Sequence, residues 1–110
     1  MMANVLVTAS SDSLNLLIGD QTQIHLEVTC DADQQVDFPL FSDTIITGIE
    51  IVPPVVTDTV YVNKNKRMTV TRHYTVTSFD SAFYYIPPFK VYVDSVPYNS
   101  DGLALAFFMF

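Results

Sequence analysis

Two histidines, one cysteine and 12 carboxylates carry whatever acid–base, nucleophilic or metal chemistry this 110-residue chain can perform. A cysteine nucleophile needs a neighbouring base or cation to hold it as thiolate. Cys30 ends the run Gln23-Ile24-His25-Leu26-Glu27-Val28-Thr29-Cys30, in which even positions are apolar and odd ones polar. Cys30 and His25 therefore fall on opposite faces of one strand, and Cys30 is expected to be a small buried hydrophobe. A single cysteine also rules out a disulfide within the chain. His25 and His73 both occupy polar phases, with no Ser, Cys or carboxylate at a meaningful spacing. Surface histidine is the expectation, and a zinc-binding pair would require their strands to be neighbours. Asp31, Asp33 and Asp37 are a possible start for a hard-cation site, but such ions want six to eight oxygens and the run has no EF-hand spacing. A solvated acidic turn is expected there. Glu27 and Glu50 do not identify a glycosidase pair. No Gly-x-Ser-x-Gly elbow is present, and the 3 glycines leave no phosphate-cradling loop. No catalytic, cofactor-binding or metal-ligating residue is assigned, no cofactor is expected, and the chain reads as a non-enzyme.

The elements that position these residues are strands. Arg67–Ser78 alternates like Gln23–Cys30, with Met68, Val70, Tyr74 and Val76 in one phase and Thr69, Thr71, His73, Thr75 and Thr77 in the other. Period two is the pleat of a strand with one buried and one wet face. Arg72 interrupts the apolar phase. It is expected at the sandwich edge, its stem along the core and its head in water, in preference to pairing with a carboxylate. Further runs at Asn4–Ala9, Leu14–Ile18, Val36–Phe38, Ile45–Val52, Thr57–Asn63, Phe83–Ile86, Phe89–Val93, Val96–Asn99 and Leu103–Phe110 complete the pattern. Leu14–Ile18 is a candidate for switching sheets, Gly48 for a bulge, Pro53-Pro54 for a stop and Asp94-Ser95 for a two-residue hairpin. With no convincing helix, the expectation is one all-β domain over 1–110, an immunoglobulin-like antiparallel β-sandwich of about seven to nine strands.

Hydrophobic residues make up 49% of the chain, enough for a core, and the net charge is −7. That charge argues against nucleic acid, whose phosphates demand clustered cations. The one basic cluster, Lys64-Asn65-Lys66-Arg67, reads as a solvated hairpin tip. Met1-Met2-Ala3 lacks the basic region of a signal peptide, and Val5-Leu6-Val7 is too short for its apolar region. Leu103–Phe110 is too short to cross a bilayer, which takes about 20 helical residues. Apolar on both faces, it is expected to pair with a second copy, giving a homo-oligomer, or to be covered by a following domain.

Asp80-Ser81-Ala82-Phe83-Tyr84-Tyr85-Ile86 resembles the Asp-x-Gly-x-Tyr-x-Cys corner of immunoglobulin-type domains. The resemblance gives Tyr84 the hydroxyl that bonds back to the corner backbone. It puts Ile86 in place of a disulfide cysteine, facing Leu26 or Val28. Ile86-Pro87-Pro88-Phe89-Lys90-Val91-Tyr92-Val93-Asp94, then Pro97-Tyr98-Asn99-Ser100 and Leu103-Ala104-Leu105, resemble the closing part of an N-terminal domain in the BatD-like (Bacteroides aerotolerance, or oxygen-tolerance) family. Leu16-Leu17-Ile18-Gly19-Asp20-Gln21 resembles its opening. The resemblance implies a periplasmic or cell-surface module of the bacterial envelope working beside von Willebrand factor A-type protein partners. It carries no catalytic residues. The leading expectation is thus a protein-interaction or structural module. The alternative is a carbohydrate-binding or adhesin module using exposed Tyr61, Tyr85, Tyr92 and Tyr98. A metal-dependent enzyme built on the histidines and Asp31–Asp37 is third.

Overall fold

The computed structural model describes residues 4–109. The Met1–Ala3 reading and the last residue of the C-terminal run lie outside them. The described chain is all-β. Its strands are β1 (Leu6–Ser11), β2 (Asn15–Leu17), β3 (Gln21–Asp31), β4 (Val36–Asp37), β5 (Thr44–Ile46), β6 (Ile49–Val62), β7 (Arg67–Thr77), β8 (Ala82–Ile86), β9 (Lys90–Val93), β10 (Val96–Asn99) and β11 (Leu103–Phe108). Eleven strands exceed the seven to nine expected, because several are two- or three-residue pieces separated by polar or proline breaks.

One layer is a five-stranded sheet in the order β1-β3-β7-β6-β5. The two strongly alternating runs pair with each other at its centre, in an antiparallel ladder from Gln21 opposite Thr77 to Asp31 opposite Arg67. Their apolar phases, Ile24, Leu26, Val28 and Cys30 on β3 and Met68, Val70, Tyr74 and Val76 on β7, are buried in one cluster. Fully burying a side chain of this size contributes about 1.5–3 kcal/mol.

The opposing layer consists of two three-stranded sheets, β10-β9-β4 and β2-β11-β8. They are two arms of one bent hairpin. β8 pairs with β11 in one arm, and β9 pairs with β10 in the other. The bend falls at Pro87-Pro88 on one side and at Ser100–Gly102 on the other. Proline has no N–H to give a ladder, so pairing stops there. The break is stitched by Phe89 N–H to the Ser100 hydroxyl and by Ser100 N–H to the Phe89 carbonyl, both 2.9 Å. Asp94 and Ser95 close β9 to β10 with φ of 50° and 67°, the left-handed pair a two-residue hairpin requires. Ile86, Val91, Val93, Leu105 and Phe107 are the buried face of this layer. Ile86 sits in the same cluster as Leu26 and Val28.

Two expectations about local structure are corrected. Ile45–Val52 is not one strand with a bulge at Gly48. Thr47 and Gly48 turn the chain between β5 and β6, Gly48 at φ 94°. Pro53-Pro54 does not end the strand either. β6 runs through it to Val62, and the pairing shifts register between Val52 and Val56 so that the prolines bulge out of the ladder. Leu14–Ile18 does change sheets: β1 lies in the five-stranded sheet, and β2 pairs with β11 in the other layer, in parallel.

Candidate functional site

The outer face of the β3–β7 ladder carries a row of cross-strand polar pairs. Register alone sets it, since every odd residue of β3 lies opposite an odd residue of β7. Gln23 Nε2 donates to Thr75 Oγ1, the Thr29 and Thr69 hydroxyls meet at 3.3 Å, and Arg67 Nη1 donates to Asp31 Oδ1 at 2.8 Å. At the centre of the row His25 lies opposite His73, with their Nδ1 atoms 2.6 Å apart and their rings at 79°. Both Nε2 atoms meet carboxylates. His25 Nε2 is 2.7 Å from Asp12 Oδ1, on the turn that leaves β1, and His73 Nε2 is 3.0 Å from Asp58 Oδ2 on β6. Asp12, His25, His73 and Asp58 thus form a line across the strands.

An N–H on each Nε2 can donate to the carboxylate it faces, and a single hydrogen between the two Nδ1 atoms satisfies their close approach. The side chains are 23% and 24% exposed for the histidines and 62% and 65% for Asp12 and Asp58. The line is half in water, and exposed ion pairs of this kind contribute about 0–1 kcal/mol each. Both histidines lie on the outer, partly exposed face of the sheet, and the structure adds carboxylate partners brought by strands and turns distant in sequence.

The other candidates are dispersed. Asp31 is tied to Arg67, Asp33 is exposed, and Asp37 lies on β4 opposite Tyr92. Among the described residues no three His, Cys, Asp or Glu side chains gather as a metal cluster. Cys30 is buried, and its pKa is pushed up, chiefly by burial and against the pull of Arg67. Lys64 and Lys66 are exposed on the β6–β7 turn. Arg72 stands over the Phe38 ring at 4.5 Å with its Nε donating to Thr57, and it pairs with no carboxylate among the described residues. Tyr84 reaches the corner after β7 as expected, but its hydroxyl meets the Ser78 hydroxyl at 3.0 Å instead of the backbone. Tyr61, Tyr85 and Tyr92 are exposed on β6, β8 and β9, and Tyr98 is half-buried on β10. The stacked aromatic pair of the described residues, Tyr74 on Phe89, is buried.

A cleft of ≈ 240 Å³ opens beside the loop 38–43, lined by Phe41, Asp43, Ile51, Val55, Arg72 and Tyr74. It is smaller than the roughly 300–1,000 Å³ usual for ligand pockets. Tyr74 is 2% exposed and its hydroxyl finds no partner among the described residues. Burial pushes its pKa up, with nearby Arg72 opposing. Arg72 and Tyr74 belong to the inward phase of β7, whereas the histidines belong to the outward phase, so the cleft and the histidine line lie on different faces of the sheet.

The C-terminal strand β11 lies inside its sheet: Ala106, Phe107 and Phe108 pair with β2, Leu103 to Phe107 pair with β8, and Leu105, Ala106 and Phe107 are buried. A long open edge lies on β6, which sequence reasoning passed over because Pro53-Pro54 masked the strand's length. β5 reaches only Ile49 and Glu50. Beyond Ile51, β6 pairs with β7 alone, and every residue from Pro53 to Val62 is exposed. No protein-family model matches the chain, and neither a curated protein nor a solved structure is similar to it.

Proposed function

We propose that this chain is a non-enzymatic protein-interaction module, an immunoglobulin-like β-sandwich that accepts an extended protein segment along β6. The observation that carries the reading is the open edge from Val55 to Val62. Val56, Val60, Tyr61 and Val62 are each more than 40% exposed. An exposed apolar edge with unpaired N–H and C=O groups is a template for strand addition, where backbone bonds give affinity and alternating side chains give specificity. Asp58 is the one charged side chain in that stretch, and it is held by His73, so the edge lacks the lysines that usually block such pairing. The placement in the bacterial envelope, periplasmic or at the cell surface, and a von Willebrand factor A-type partner rest on the BatD-like resemblance of Ile86–Asp94 and Leu16–Gln21 alone. A second copy of the chain competes for the same edge.

A photo-crosslinking residue at Val60, with one at Glu27 on the central strand as control, tests the reading in cells. The expected result is a specific protein adduct from position 60 that Thr59→Pro abolishes while the fold survives. Equal labelling from both positions, or turnover in a hydrolase panel lost on a single side-chain change, would overturn it.

A further inference from the structure

We propose that the His25–His73 pair is a binding site for a divalent transition-metal ion of the Zn²⁺/Cu²⁺ class, held by both Nδ1 atoms. The inference is independent of the β6 reading.

Three features support it. First, the two Nδ1 atoms already converge on one point, 2.6 Å apart. Metal–imidazole bonds of about 2.0–2.1 Å at a tetrahedral angle put two nitrogens roughly 3.3 Å apart. The nitrogens must then part by about 0.7 Å, and each ring must tilt until its lone pair points at the ion and not at the facing nitrogen. Second, each far nitrogen is held by a carboxylate, Asp12 on His25 and Asp58 on His73. This is the arrangement found behind metal-bound histidines. The carboxylate fixes the N–H on Nε2, leaves the lone pair on Nδ1, and makes that lone pair more basic. Third, both imidazoles reach solvent, so water completes the coordination.

Asp12 and Asp58 are positioning residues in this scheme, not ligands, which agrees with the absence of a three-residue cluster among the described residues. Binding leaves both Nε2–H groups on their carboxylates and sends any hydrogen on Nδ1 to solvent. Imidazole nitrogen favours Cu²⁺ over Zn²⁺ and both over the hard cations Mg²⁺ and Ca²⁺.

The test titrates the untagged protein with CuCl₂ and ZnCl₂ by calorimetry, and with ZnCl₂ while following imidazole nitrogens by NMR. One ion per chain is expected, with both Nδ1 resonances shifting and both Nε2–H signals retained, and no response to MgCl₂. His25→Gln and His73→Gln should each abolish binding. Asp12→Asn should weaken it about tenfold or more with the circular dichroism spectrum unchanged. Binding that survives His25→Gln in a folded protein, half an ion per chain with dimerisation, or no binding by the folded wild type would overturn the proposal.

Discussion

Gly48→Ala should destabilise the domain by about 3 kcal/mol, and the sum can be built from the structure. Gly48 turns β5 into β6 at φ 94°, where an L side chain costs about 1–2 kcal/mol. A Cβ there would stand 2.6 Å from Tyr84 Cε1 and 2.8 Å from Tyr84 Oη. The ring must shift. Shifting it loosens the bond to Ser78 Oγ, worth about 1 kcal/mol, and the edge-to-face contact with Phe107, worth about 0.5–1.5 kcal/mol. Gly19 supplies the control. Its φ is 87°, but a Cβ would meet nothing within 4 Å, so Gly19→Ala should cost only the backbone share. Urea unfolding of the two variants measures the difference, which should be about 1.5–2.5 kcal/mol. Tyr84→Phe combined with Gly48→Ala should recover none of the backbone cost. Equal destabilisation by Gly48→Ala and Gly19→Ala would refute the claim that Tyr84 is seated on Gly48.

Two further predictions concern buried groups. Tyr74→Phe removes a hydroxyl without a partner and keeps the ring beside Phe41 and Phe89, so it should raise stability by about 1 kcal/mol in urea unfolding. The Cys30 thiol has its pKa raised by burial. Its contribution to stability is complete below the ordinary thiol pKa and is lost as pH rises through the raised native value. The wild type should therefore lose stability relative to Cys30→Val only at alkaline pH, and a thiol reagent at pH 8 should modify Cys30 no faster than the protein unfolds. A constant gap between the two proteins through alkaline pH would contradict the assignment.

The central ladder was legible because β3 and β7 repeat every two residues over a long run, and burial enforces that pattern. Asp94-Ser95 was legible from its length and flanks, and the sheet change at Leu14–Ile18 from the polar break before it. The Gly48 turn was not, because a hairpin and a bulge both ask for glycine at that point, and Tyr84, which lies on it, is far along the chain. The histidine line was hidden for a related reason. Asp12 is 13 residues from His25, His25 is 48 from His73, and Asp58 is 15 from His73. Periodicity assigns each side chain a face but says nothing about which strands become neighbours or in what register. The same gap hid the central position of β11, since apolar residues on both faces say nothing about which strands flank it.

Placing β11 between β2 and β8 makes one of the two sheets of the second layer wait for Leu103–Phe108. A nascent polypeptide stopped at Gly102 would have its five-stranded sheet encoded in full, yet β2 and β8 would be ribbons without a common neighbour. Proteases should find that intermediate easily. The finished domain should gain its resistance in one step, when Leu103–Phe108 emerges from the ribosome and slots home.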